Sequence, residues 1–151
     1  MPSGMFFLYL IILSICLAKL EIQIEGSGGW AGNLPTWKVR NRISSLFLGI
    51  KPFTGYHLFL HLTILLLSHL YFAIEFKPPS FYSELRILAF LIYLWVVEDF
   101  LWFLLNPAFG FKKFKAQYIW WHADSWWWIM PKAYWLALPI ATALYLFSFT
   151  F

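Results

Sequence analysis

Three apolar stretches, residues 55–75, 84–106 and 132–151, decide what this chain can become. Each approaches the roughly 20 residues that a helix needs to cross about 30 Å of hydrocarbon. Of the 151 residues, 62% are hydrophobic and 12% charged. Soluble domains carry about 25% charged residues, so this chain has too little charge to face water, and lipid is the expected solvent. A shorter apolar run, residues 5–20, has two readings. As a signal peptide it would be cleaved near Ala18; as a membrane anchor it would stay. No basic residue precedes the run and Lys19 follows it, the charge order of an anchor with its N-terminus outside. The expected fold is all-α: a polytopic four-helix membrane bundle in a single domain, with a Trp-rich interfacial segment between spans three and four.

Basic residues set the orientation. Lys19, Lys38, Arg40, Arg42 and Lys51 fall in or beside the first long loop, 21–54. Lys112, Lys113, Lys115 and Lys132 fall in or beside the other, 107–131, leaving Lys77 and Arg86 on the opposite side. The positive-inside rule then puts both long loops in the cytoplasm and both termini outside. These cations suit anionic headgroups. They form no dense basic module, so nucleic acid is not an expected partner. The single cysteine, Cys16, lies in the first apolar run and forms no disulfide or CxxC site within the chain.

Local signals fill in the connections. Residues 19–25 alternate polar and apolar, the pattern of an extended strand at the interface. The glycines at 26, 28, 29 and 32 lack the Gly-Lys-Ser/Thr of a phosphate loop and read as turns. Residues 42–50 form a short amphipathic stretch that suits the membrane surface. Ser83 and Glu84 look like a helix start. Pro78-Pro79 closes a short connection that makes spans two and three antiparallel neighbours. Pro139 should kink the last span. Five tryptophans within residues 120–128 suit the headgroup boundary.

Ionisable groups inside spans carry the functional signal, because each costs roughly 2.5–3.5 kcal/mol at mid-helix on insertion scales. Span two holds His57, His61 and His69; span three holds Glu98 and Asp99; His122 sits in the Trp-rich segment. His57 and His61 are one turn apart on one face. By helical rise His61 lies about 9 Å deep, and Glu98 and Asp99 about 10–12 Å deep, on the neighbouring span. His57, His61, Glu98 and His122 are the ligand types of zinc or non-haem iron, with Glu98 and Asp99 as catalytic acid/base groups. Trp102, Asn106 and Trp121 are expected to line the substrate site. His69 faces elsewhere and reads as interfacial. The plain alternative is that His61 and Glu98 bond to each other and fix helix register. No HExxH zinc-protease motif is present.

The expected function is therefore a small membrane-embedded enzyme, metal-dependent or not, hydrolase or oxidoreductase, acting on a lipidic or amphiphilic substrate at the cytoplasmic leaflet. The alternatives are a binding or transport module for lipids or a hydrophobic ligand, as a monomer or a homo-oligomer, and an accessory membrane subunit.

Overall fold

The computed structural model describes residues 3–42 and 50–149. The first helix, α1, runs Ser3–Glu25 without interruption, so the strand expected over 19–25 is a helix. A segment continuing an established helix needs no new nucleus. Its two acids, Glu21 and Glu25, are four apart and share a face. Gly26, at φ +64°, ends the helix, its N–H bonding to the Ile22 carbonyl at 3.0 Å.

After the glycine turn, β1 (Lys38–Val39) pairs antiparallel with β2 (Phe53–Thr54). Of the expected amphipathic stretch only Arg42 and Ile50 belong to the described residues; 43–49 lie outside them. Thr54 then caps α2 (Gly55–Ser68), accepting from the His57 N–H at 3.2 Å. The second apolar stretch is not one helix: α2 stops at His69 and α3 (Leu70–Ile74) follows. The Ser68 hydroxyl and the His69 ring both donate to the Leu65 carbonyl, at 2.7 and 2.8 Å. Side chains that take a helix carbonyl in this way compete with its ladder.

Helix α4 spans Phe81–Leu105 and starts earlier than expected: its cap is Ser80, not Ser83, whose N–H Ser80 accepts at 3.2 Å. The Trp-rich segment folds as a 3₁₀ turn (Trp120–Ser125) and a two-residue ladder of β3 (Trp126–Trp127) with β4 (Met130–Pro131). Trp120, Trp127 and Trp128 are exposed and Trp121 is buried. The last described helix, α5 (Lys132–Phe147), continues through Pro139.

The chain is thus mostly helical, and two of its helices, α1 and α4, are long and apolar enough to cross a membrane. The α2 and α5 helices are apolar but shorter. Helix α4 is central. Parallel to it, α1 packs Phe6 on Phe90, Leu10 by Leu94, and Ile22 by Trp102 and Phe103. Antiparallel α5 meets it at Arg86–Ser148, Tyr93–Thr142 and Asp99–Tyr134. Helix α2 is also antiparallel to α4, as expected, but reaches it through large side chains such as His61 stacked on Trp95 at 4.1 Å. The close neighbours of α4 are α1 and α5.

The interior is mainly apolar, yet large apolar side chains also cover much of the outside, and several polar and ionisable ones are buried. Phe7, Leu8, Ile11 and Ile12 of α1, Phe59 and Leu66 of α2, and Leu136 and Ile140 of α5 face outward. Ser14, Glu21, Glu25, Glu98, Asn106 and His122 are buried.

Candidate functional site

The C-terminal ends of α1 and α4 meet the N-terminal ends of α2 and α5 at one end of the molecule, where both long loops also fold. A cavity of about 210 Å³ opens there. Its walls carry Glu21 and Glu25 from α1, His57 and His61 from α2, Glu98 and Asp99 from α4, and Tyr134 from α5. Lys51 and His122 come from the two loops, and Trp30, Trp95, Trp102 and Trp121 add aromatic walls, with Val96 among the smaller apolar lining residues.

One wall is a hydrogen-bonded chain. Lys51 Nζ lies against the His122 ring, 3.2 Å from Nδ1 and 3.4 Å from Nε2, and His122 Nε2 lies 3.2 Å from Asp99 Oδ2. The Tyr134 hydroxyl donates to the same Asp99 oxygen. A carboxylate accepts, so the His122 Nε2–H points at Asp99, and in the neutral ring Nδ1 keeps the lone pair that faces the Lys51 ammonium. The loops supply this chain because they are tied together. Ile50 N–H donates to Asp124 at 3.2 Å, and the Asn106 amide donates to the Gly26 carbonyl at 2.9 Å. Burial pulls the Lys51 ammonium down to about 8, against the opposing pull of Asp99 and Asp124. Its charge also sits 4.3 Å from the centre of the Trp30 ring.

The opposite wall holds the paired histidines. Thr54 Oγ1 lies 2.7 Å from His57 Nδ1, and His57 Nε2 is 3.8 Å from Glu25 Oε1. Trp30 stacks on His57 at 4.1 Å. Trp30 and Ala31 both have positive φ, 46° and 50°, which non-glycine residues seldom adopt. Glu25 holds that turn by accepting the Ala31 N–H. His61 Nδ1 donates to the His57 carbonyl at 2.6 Å, which leaves Nε2 with the lone pair in the neutral ring. His61 is exposed, at the mouth of the cavity.

The structure brings His57, His61, Glu98, Asp99, His122, Trp102 and Trp121 to one cavity. His61 does not bond to Glu98: it stacks on Trp95, and Glu98 Oε1 is buried with no hydrogen-bond partner. The expected ligand set does not gather about one point. Among the described residues no group of three His, Cys, Asp or Glu side chains is placed to hold a metal ion. Both ring nitrogens of His122 already face Lys51 or Asp99. Asn106 stands outside the lining; besides Gly26 it engages the Ala108 N–H at 3.0 Å, closing the end of α4. His69 lies apart, 3.2 Å from Glu84.

Sequence reasoning missed Glu21, Glu25, Lys51 and Tyr134. For the two glutamates a signal was present: continuing the first apolar helix to Gly26 puts Ser14, Glu21 and Glu25 at near-helical spacing on one inward face. Lys51 and Tyr134 gave none, since their positions depend on how the loops fold. Comparison with family models, with curated proteins and with solved structures gives no match to this chain.

Proposed function

We propose that this chain is a membrane-embedded enzyme performing general acid–base chemistry on an amphiphilic substrate, at the bilayer face where its two long loops fold. The observation that carries the reading is the Lys51–His122–Asp99–Tyr134 chain, drawn from four separate segments onto the wall of one cavity. In such an array Asp99 fixes the ring and tautomer of His122, and His122 accepts or returns the proton of Lys51. Lys51 faces the cavity and exchanges that proton with the substrate. An amine held near 8 is close to working pH, where proton transfer in both directions is efficient. Tyr134 holds the second side of Asp99.

The outward apolar faces support membrane insertion, because lipid is the solvent that favours them. Joined through the bend at His69, α2 and α3 are long enough for a crossing, and α5 nearly so. The placement of basic residues favours a four-span arrangement with both long loops on the cytoplasmic side. A lipid-binding module without turnover is the second reading, favoured by an apolar groove of about 1000 Å³ between α4, α5 and the Trp-rich segment.

The test reconstitutes the purified protein in bilayers of total host lipid and follows the lipids by mass spectrometry. Wild type is expected to consume at least one amphiphile that Asp99→Asn leaves intact. Equal profiles for the two proteins, with both folded, would overturn the enzyme reading.

A further inference from the structure

Two residues that line the cavity carry buried polar atoms that the chain itself does not satisfy. Glu98 Oε1 and Trp102 Nε1 are buried without partners, on residues that are each only 4% exposed. They are one helical turn apart on α4, and both residues line the cavity. A buried polar atom left unpaired is costly, so the pair defines what a ligand must offer. The indole N–H only donates. A carboxyl group accepts when ionised, and both donates and accepts when protonated. An alkylammonium head could meet Glu98 but cannot accept from the indole. A carboxylate or phosphate head could accept from the indole but would meet four carboxyl side chains, Glu21, Glu25, Glu98 and Asp99, against one ammonium, Lys51, that His122 already engages. A hydroxyl accepts from Trp102 and also pairs with Glu98 in either of its charge states.

The apolar groove adjoins this cavity, with Val96 and Tyr134 lining both. Beyond them it runs along Phe100, Phe114 and Leu138. The cavity is somewhat larger than the ~150 Å³ that holds benzene, so the head it accepts is compact.

Building on the acid–base reading above, we propose that the substrate is an amphiphile with a small, uncharged, hydroxyl-bearing head, which enters between Glu98 and Trp102 while its hydrocarbon tail lies in the α4/α5 groove. The experiment uses the full chain in nanodiscs, with Asp99→Asn added to prevent turnover. Three probes of equal chain length are compared at equal mole fraction: monomyristoylglycerol, tetradecyltrimethylammonium and myristate. The monoglyceride is expected to bind roughly tenfold or more tighter than either charged probe. Trp102→Phe and Glu98→Leu should each weaken it about five- to 150-fold, the range for an unpaired buried polar group. Leu138→Trp, which narrows the groove, should weaken all three. Tighter binding of a charged probe, or an unchanged monoglyceride affinity in folded Trp102→Phe, overturns the inference. Should the preference hold while no lipid shows Asp99-dependent turnover, the headgroup assignment stands and the enzyme reading falls. Turnover without the preference would keep the enzyme reading and remove the headgroup assignment.

Discussion

The two ends of this molecule are built from the same helices and use their polar residues differently. At the end away from the long loops, polar groups mostly find each other. Arg86 donates to the Ser148 carbonyl at 2.9 Å and to its hydroxyl at 3.2 Å, and lies over the Phe149 ring. His69 faces Glu84, and Phe6, Ala89 and Tyr145 pack together as a small core. Among the described residues the buried unpaired side-chain atom at that end is the Tyr145 hydroxyl. At the loop end, by contrast, four carboxyl groups, three histidines and a lysine surround one cavity, and Glu98 and Trp102 are left unpaired. Paired polar groups specify packing; unpaired ones around a cavity specify a ligand.

The sharpest way to break this contrast is to remove Asp99. Asp99→Asn should lower turnover by roughly 10²- to 10⁴-fold, the usual worth of a positioned acid–base group, with the helical content kept. Arg86→Ala at the other end should leave turnover unchanged and cost roughly 1.5–3 kcal/mol of stability, the range for hydrogen bonds to a charged group. Thermal unfolding in detergent beside a turnover assay reads both. If Arg86→Ala removed turnover from a protein that remained folded, the two ends would not be separate in function.

A third change tests how the loop end is built. Gly29 sits at φ +59°, and a methyl group added there would collide with the Trp121 ring. Gly29→Ala should cost on the order of 1–3 kcal/mol from backbone strain alone and displace Trp121 from the cavity wall, a shift visible in near-UV circular dichroism. Unchanged stability and spectrum would contradict the contact between the loops.

A further expected effect is a pH slope. Folding lowers the Lys51 pKa from 10.5 to about 8, so between those values the unfolded chain binds more protons than the folded one. The penalty for burying the ammonium is full below about pH 8 and is relieved as pH rises towards 10.5. Wild-type stability should therefore rise relative to Lys51→Met across that window, measured by denaturant titration at stepped pH. A difference that stays flat would place Lys51 in water.

How much of this was legible in the sequence follows from what fixes each feature. The apolar helices were readable because long runs with few charges mark them, and the grouping of His57, His61, Glu98 and Asp99 because helical pitch sets depth and face. Pitch does not set which neighbour a side chain meets. Glu98 and Asp99 are about 100° apart around α4, and it is Asp99 that reaches His122 while Glu98 stays unpaired. The alternation over 19–25 misled because seven residues can match a strand period while continuing a helix already formed. The contacts of Lys51 with His122 and of Ile50 with Asp124 join residues more than 70 positions apart through irregular loops, where no periodicity exists to read.

If Lys51, His122 and Asp99 act as one proton-transfer unit, a double-mutant cycle on turnover shows it most directly. Groups that act together lose their effect together. Asp99→Asn, His122→Gln and the double variant should therefore show losses of similar size. Losses that multiply in the double variant would mean that the two residues act independently, and the proposed relay would be wrong.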